Sequence, residues 1–244
     1  MTVRIALALG GNSTVTDECY VRALSAPGLD LEICKLLPGM DEAGVREVVA
    51  RCSGLVLSGG ADVHPARYGQ EPAGTEMKSV SVARDAMEST AIVEADRLEM
   101  PILAICRGMQ MLNVQRGGAL LQDIGESHRD GRKQAEKWRP FHSVALDPGT
   151  AASAVFVAET VETNSRHHQS LDPARIGEGL QVVGRCPIDG VIEAVEGRGD
   201  RFVLGVQWHP ENMAIGPEES VSRGQAQGLF AAFAEAAHCF ASNR

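Results

Sequence analysis

The feature that most constrains the fold is a regular alternation of short apolar runs and amphipathic segments over the first half of the chain. Strand-like and helix-like patterns follow one another in turn at 5–9, 17–25, 31–36, 41–51, 54–57, 82–99 and 102–105. Repeated strand–helix–strand units build a parallel sheet that is covered by helices. The pattern therefore predicts an α/β fold, in which ligands bind beyond the carboxyl ends of the strands.

The pattern changes after about residue 140, where Gly, Pro and Asp turns separate short strands. These strands are predicted at 142–146, 161–164, 180–185, 191–195 and 202–206. The segment 218–240 contains an amphipathic helix with Leu229, Phe230, Phe233 and Ala237 on one side, which is expected to pack on the sheet. We expect a three-layer α/β/α fold with a mostly parallel central sheet and a small antiparallel or mixed extension.

The size and composition of the chain limit its class. With 244 residues, 44% of them hydrophobic, one sizeable core can form, and we expect a single domain over residues 1–244. A formal net charge of −9 argues against nucleic-acid binding, which needs clustered cations. No segment approaches the roughly 20 apolar residues of a membrane helix. The charged segment 129–139 and the Gly- and Pro-rich segment 69–77 are predicted to be surface loops.

Cysteine usage indicates a reducing environment. The six cysteines are scattered and contain no Cys-x-x-Cys pair, so we expect free thiols in a cytoplasmic protein. The N-terminal apolar run is too short for the core of a signal peptide with its cleavage site. Five cysteines are interpreted as small apolar core residues: Cys19, Cys34, Cys52, Cys186 and Cys239.

Cys106 differs from the other cysteines because it lies between a strand pattern at 101–105 and a helix pattern at 107–115. A sharp turn at this point presents the thiol at the carboxyl end of a strand. The positive end of the following helix favours the thiolate. The sequence therefore predicts that Cys106 is a nucleophile.

A second strand, at 202–206, leads to His209, Pro210 and Glu211. Pro210 restricts the backbone, so the imidazole and the carboxylate can point at a common site. In a Cys-His-Glu triad the histidine exchanges protons with the thiol and the leaving group, and the carboxylate holds its tautomer. We predict that Cys106, His209 and Glu211 form such a triad.

An oxyanion hole is predicted where the strand at 54–57 runs into the glycine pair Gly59 and Gly60. Glycines leave backbone N–H groups unobstructed, and a tetrahedral intermediate needs two fixed donors. We assign these donors to the backbone N–H groups of Gly60 and Arg107.

Together the motifs resemble the class I glutamine amidotransferase-like hydrolases, and among them the γ-glutamyl-γ-aminobutyrate hydrolase family of cysteine peptidases, peptidase C26. The resemblance is carried by 59–69 (GGADVHPARYG), 84–88 (RDAME), 105–114 (ICRGMQMLNV), 117–124 (GGALLQDI), 165–169 (SRHHQ) and 207–211 (QWHPE). It implies a flavodoxin-like three-layer fold and a thiol hydrolase with the triad named above. It also implies that Gln110, His167, His168 and Gln169 hold the glutamyl part of the substrate.

The reaction implied by this resemblance is hydrolysis of the γ-amide of γ-glutamyl amines, through a γ-glutamyl thioester, to glutamate and an amine. Substrates of this class include γ-glutamyl-γ-aminobutyrate and the γ-glutamyl polyamines of polyamine catabolism, and the leaving amine stays open. Two alternatives also stay open: a glutaminase subunit that delivers ammonia to a separate synthetase, and a non-catalytic binding protein of the same fold.

No cofactor, metal, nucleic acid or membrane is expected to take part, and an exposed apolar face would allow a homodimer. The adjacent His167 and His168 are not interpreted as metal ligands, because cysteine or carboxylate partners at ligand spacing are missing from the sequence around them. The remaining histidines are expected on the surface or in loops: His64, His128, His142 and His238.

Overall fold

The computed structural model describes residues 3–11, 14–26, 28–125, 127–129, 141–217 and 220–244. Of the predicted loop at 129–139, all but residue 129 lies outside these ranges. The strands are β1 (Val3–Ala8), β2 (Leu31–Leu36), β3 (Gly54–Leu57), β4 (Ile102–Ile105), β5 (Leu120–Leu121), β6 (His142–Leu146), β7 (Thr160–Thr163), β8 (Ser170–Leu171), β9 (Leu180–Arg185), β10 (Ile192–Gly197) and β11 (Val203–Val206).

The helices alternate with the first strands, as the sequence predicts. They are α1 (Thr14–Leu24), α2 (Glu42–Ala50), α3 (Val82–Arg97), α4 (Arg107–Gln115), α5 (Ala151–Phe156), α6 (Pro210–Ala214) and α7 (Val221–Ser242). Short 3₁₀ helices at Pro65–Tyr68 and Met77–Ser79 lie at the two ends of the predicted surface loop 69–77.

Within the described residues, nine strands form one sheet in the order β2-β1-β3-β4-β11-β10-β9-β6-β7. The half from β2 to β11 is parallel throughout, and the half from β11 to β7 is antiparallel. The predicted extension therefore continues the central sheet. β5 and β8 form a separate two-stranded antiparallel ribbon. Because β3, β4 and β11 are parallel neighbours, their carboxyl ends meet at one edge, where Gly59, Cys106 and His209 follow them.

Two apolar layers cover the two faces of the sheet, so the predicted three-layer α/β/α fold is confirmed. On β1, Ile5 and Leu7 belong to one layer and Ala6 and Ala8 to the other, because successive strand residues point to opposite faces. The first layer contains buried residues of α1 and α7, and the second contains buried residues of α2, α3 and α4.

The C-terminal helix packs with the predicted side inward: its buried residues include Leu229, Phe230, Phe233 and Ala237. Two short helices are missing from the sequence prediction. α5 has six residues and α6 has five, which is too short for a periodic pattern to emerge. In the part of the chain that the structure describes, no helix is both long and apolar enough to cross a membrane.

Candidate active site

Cys106 lies on a strained turn between β4 and α4. Its backbone has φ 53° and ψ −110°, a conformation that side chains rarely adopt and that functional sites often hold. The turn is fixed by its backbone N–H, which donates to the carbonyl of Val206 at 2.7 Å. It also depends on Gly108, since a Cβ atom there would lie 2.3 Å from the carbonyl oxygen of Leu57. The thiol occupies the position that the sequence predicts for a nucleophile.

His209 and Glu211 are joined by a hydrogen bond of 2.8 Å between Nδ1 and Oε1. Pro210 is the first residue of α6, where a proline is tolerated because its missing N–H has no helical acceptor. Asn164 fixes the backbone of His209, accepting its N–H at 2.9 Å and donating to its carbonyl at 3.0 Å. Glu211 is fully buried, so the carboxylate can orient the ring without competition from solvent.

Gly59, after β3, shows how closely the thiol and the imidazole approach each other. A Cβ atom on Gly59 would lie 2.7 Å from Cε1 of His209 and 3.4 Å from Cβ of Cys106. It would also lie 2.9 Å from the hydroxyl of Tyr20, which accepts the Gly59 N–H at 2.8 Å. Cys106 and His209 thus flank the same glycine. Only a residue without a side chain at position 59 leaves room for them.

The charges of the site favour a thiolate–imidazolium pair. Burial raises the pKa of the Cys106 thiol, but the charge of His209 and a hydrogen bond with it outweigh burial, and the net pKa is lowered. Burial lowers the pKa of His209, yet Glu211 and Cys106 together raise it to about 10. At neutral pH the cysteine is therefore activated and the histidine carries the proton.

One of the two predicted oxyanion donors, Gly60, lines the cavity beside Cys106. The other, the N–H of Arg107, belongs to the first turn of α4 and has no intrahelical acceptor. Gly60 has φ +153°, and a Cβ atom there would lie 2.1 Å from Nη1 of Arg84. These positions are compatible with the predicted role, which stays a prediction.

A buried ion network, for which the sequence predicts no role, lies behind the turn. The Arg107 guanidinium contacts the carboxylates of Asp85 and Glu88, and Arg84 donates to Glu88 at 2.8 Å. Arg84 also donates to the carbonyl of Gly59 at 2.9 Å. The side chains of 84–88 thereby tie the glycine loop to the helix of the nucleophile. The short RDAME motif could have indicated the ion pair between Arg84 and Glu88, because residues four positions apart on a helix lie on the same face.

All four residues that were predicted to hold the substrate line the cavity beside Cys106. This cavity is lined by Gly60, Asp62, Cys106, Gln110, Arg166, His167, His168 and Gln169. Asp62 and Arg166 were not predicted. Some wall residues bond to one another: Gln110 donates to the carbonyl of Gln169 at 3.2 Å, and Nε2 of His168 lies 2.9 Å from Asp62. The structure brings these residues together, and their contact with substrate remains a prediction.

The structure corrects the expectations for several other residues. His128 lies in a turn, within the expected class of positions, but its side chain is buried at 3% exposed. His142 lies on β6 instead of in a loop, and its side chain is 7% exposed. Both side chains pack around the buried Glu193 of β10. Among the other cysteines, Cys52 and Cys186 are buried as expected, but Cys239 is exposed. Cys19 and Cys34 are only partly buried.

Residues 12–211 match the sequence profile of the peptidase C26 family. A protein of Mycobacterium tuberculosis, provisionally named a glutamine amidotransferase, is 40% identical over 186 residues, which are 73% of this chain and 58% of that protein. This chain thus aligns with less than two thirds of that relative's length. The gamma-glutamyl-gamma-aminobutyrate hydrolase PuuD of Escherichia coli (strain K12) is 32% identical to this chain. The match covers 83% of this chain and 81% of that hydrolase.

The fold is also that of a solved glutaminase. The glutaminase domain of Trypanosoma brucei CTPS, with bound acivicin, superposes with a TM-score of 0.68. The match covers 98% of this chain and 94% of that domain at 17% identity. At this identity the likeness establishes the fold alone.

Proposed function

This chain belongs to the peptidase C26 family, and on that premise we propose that it hydrolyses the γ-amide bond of γ-glutamyl amines with Cys106 as the nucleophile. The observation that carries the proposal is the strained turn at Cys106 beside an imidazole that is hydrogen-bonded to Glu211. A reactive thiol, a protonated histidine and an orienting carboxylate are the components of acyl transfer by a cysteine.

The proposed reaction begins with attack of the Cys106 thiolate on the γ-carbonyl carbon. The carbonyl oxygen becomes an oxyanion that the N–H groups of Gly60 and Arg107 stabilise. As the C–N bond breaks, the His209 imidazolium gives its proton to the departing amine. Neutral His209 then takes a proton from water, whose oxygen attacks the γ-glutamyl thioester. Glutamate leaves, and the thiolate–imidazolium pair is restored.

The charge of the cavity wall supports a glutamyl group as the recognised part of the substrate. A γ-linked glutamyl group carries a free α-carboxylate and a free α-ammonium. Arg166 and Asp62 line the cavity with Cys106 and carry the opposite charges. We propose that Arg166 attracts the α-carboxylate and that Asp62 attracts the α-ammonium. The relative named gamma-glutamyl-gamma-aminobutyrate hydrolase supports γ-glutamyl amides as the substrate class. We extend the proposal to γ-glutamyl polyamines, which carry the same glutamyl group. Catalysis by a free thiol supports the cytoplasm as the working compartment.

A panel of substrates tests the proposal. We expect glutamate release from γ-glutamyl-γ-aminobutyrate or a γ-glutamyl polyamine, and its loss in Cys106→Ala. Cys186→Ala, which removes another buried thiol, is the matched control and should retain activity. No turnover of any γ-glutamyl amide by the folded protein, or full activity of Cys106→Ala, would contradict the proposal.

The relative named as a glutamine amidotransferase favours a second candidate, a glutaminase that passes ammonia to a partner. The same thiol chemistry would then act on glutamine. Glutamine in the panel separates the two functions. Turnover of glutamine alone, raised by a synthetase partner, would replace the hydrolase proposal with this one, whereas preference for larger amines supports the hydrolase.

A further inference from the structure

Three histidine rings surround one carboxylate that is not part of the proposed triad of Cys106, His209 and Glu211. Glu193, on β10, is completely buried. Its Oε1 atom lies 3.3 Å from Nδ1 of His128, 3.3 Å from Nε2 of His167 and 3.7 Å from Nε2 of His142. The four residues come from separate parts of the chain, so only the tertiary structure assembles this cluster.

The second nitrogen of each ring is held by an acceptor. Nε2 of His128 lies 2.9 Å from a carboxylate oxygen of Asp189. Nδ1 of His142 lies 3.0 Å from the carbonyl of Ser143, and Nδ1 of His167 lies 2.9 Å from that of Gln169. Because carbonyl and carboxylate oxygens only accept, these nitrogens carry the hydrogens. In the neutral rings the lone pairs therefore point at Glu193, the arrangement by which proteins orient metal-binding histidines.

Most of the atoms that face one another lack hydrogen-bond partners, and the exception is Nδ1 of His128, which lies 3.2 Å from the hydroxyl oxygen of Ser165. Among the described residues, neither carboxylate oxygen of Glu193 has a hydrogen-bond partner, and neither does Nε2 of His142 or Nε2 of His167. A buried carboxylate without a donor is costly, and lone pairs that face a carboxylate repel it. A cation among Glu193, His142 and His128 would satisfy both the carboxylate and Nε2 of His142.

We propose that this cluster binds a divalent transition metal, zinc by preference, through Nδ1 of His128, Nε2 of His142 and a carboxylate oxygen of Glu193. The three ligand atoms lie within 4.8 Å of one another. Two imidazoles and one carboxylate form a donor set that is typical of zinc. His167 contacts Glu193 and also lines the cavity of Cys106, so the metal would fix one wall of that cavity.

Two other arrangements compete with this proposal. A protonated His167 could neutralise Glu193 without any metal, and its pKa is indeed raised by Glu193 despite burial. A second set of groups, His128, Cys186 and Asp189, also lies within ligand distance and would use a thiolate instead. The experiment must therefore distinguish a metal from a proton and a carboxylate site from a thiolate site.

Metal content of the full chain tests the proposal. The wild type and Cys106→Ala, which removes the catalytic thiolate as a ligand, are stripped with a chelator and dialysed against zinc or cobalt chloride. We expect about one bound zinc per chain in both proteins by mass spectrometry. The cobalt form should show visible bands of a four-coordinate site without near-ultraviolet charge transfer from a thiolate.

Variants locate the site. Glu193→Gln and His142→Gln should weaken zinc binding at least about 100-fold, and Asp189→Asn, which acts through His128, about 10- to 100-fold. His64→Gln and His238→Gln are matched controls outside the cluster and should bind zinc like the wild type.

Three results would overturn the proposal. The first is less than about a tenth of a zinc per folded chain in the unmutated protein. That result would mean that a protonated histidine, and not a metal, neutralises Glu193. The second is unchanged binding in Glu193→Gln and His142→Gln. The third is a thiolate band that disappears in Cys186→Ser, which would assign the metal to the other set of groups. Because the first result needs no variant, a variant that fails to fold does not remove the test.

Discussion

His209 and Glu211 are two residues apart, and a 2.8 Å hydrogen bond joins Nδ1 of the imidazole to Oε1 of the carboxylate. The bond leaves Nε2 of the ring available to the thiol side of the site. It also makes Nδ1 the protonated nitrogen, because a carboxylate accepts the hydrogen. Glu211 thus orients the ring of the proposed general acid and, together with Cys106, favours its protonated form.

Glu211→Gln is expected to lower kcat/KM for a γ-glutamyl amide by about 100-fold or more, because an amide can hold the wrong tautomer and no longer stabilises the imidazolium. Steady-state kinetics measure this effect. Glu196→Gln is the matched control: Glu196 is also buried, but it bonds to Ala152 and Gln181. Equal losses in the two variants would contradict a specific role for Glu211.

The pH dependence of Cys106 alkylation tests for the thiolate–imidazolium pair of Cys106 and His209. The lowered pKa of Cys106 predicts fast alkylation by iodoacetamide well below the ordinary thiol pKa, and the reactive pair persists until His209 loses its proton near its pKa of about 10. His209→Ala removes the two largest contributions that lower the pKa of Cys106 and leaves the burial that raises it, so the midpoint for Cys106 should rise by more than about one pH unit. Peptide mass spectrometry follows Cys106, with exposed Cys239 as internal control. Equal midpoints for Cys106 in the two proteins would exclude the pair.

Gly59→Ala is expected to reduce activity by about 100-fold, because the new methyl group would lie 2.7 Å from His209 and must displace the ring. Gly224→Ala on α7 is the control, since a Cβ atom there meets nothing within 4 Å. The control should keep its activity and gain up to about 1 kcal/mol of stability from the helix propensity of alanine. Full activity of Gly59→Ala would show that the ring has space to move.

Arg107→Met is expected to lower the free energy of unfolding by about 3–5 kcal/mol, because it leaves the buried carboxylates of Asp85 and Glu88 without their shared cation. Urea denaturation measures the change. Arg51→Met, which removes an exposed pair with Glu47, should cost less than about 1 kcal/mol. A similar small cost for Arg107→Met would mean that Arg84 alone compensates these carboxylates.

Arg166→Met is expected to raise KM for γ-glutamyl amides about 10-fold, because the variant loses the cation proposed to attract the α-carboxylate. An otherwise identical amide that lacks the α-carboxylate is the control substrate. Its KM should be similar for the variant and the wild type. An equal rise in KM for both substrates would indicate a general change in the cavity instead of recognition of the carboxylate.

Much of the fold could be predicted because the relevant signals are local. The apolar run of β4 and the alternating patterns before it define the parallel half of the sheet, and the periodic face with Phe230 and Phe233 defines α7. The turn at Cys106 was also predictable, since strand, cysteine and helix are contiguous. The short helix α6 was not, because five residues carry no period.

The cavity wall and the histidine cluster could not be predicted from local sequence patterns. Arg166 was part of a recognised motif, but nothing in its neighbours predicts that it lines the cavity of Cys106. His142 begins the predicted strand at 142–146 and His128 precedes it in a loop, and neither stretch of sequence indicates that the imidazole is buried beside Glu193. The pairing of β6 with β9 and of β9 with β10 places His142 and Glu193 in one sheet, which is a property of the whole sheet.

By itself the sequence determined the α/β architecture and the position of the cysteine proposed as nucleophile, because strand and helix periods and the strand–cysteine–helix junction lie in consecutive residues. The tertiary structure alone decided which distant side chains meet. Parallel pairing of β4 with β11 brings the segment of His209 to the thiol, and the antiparallel extension gathers three histidines around Glu193. Proximity between residues some 100 positions apart arises from sheet order and packing of the core, which no local pattern encodes.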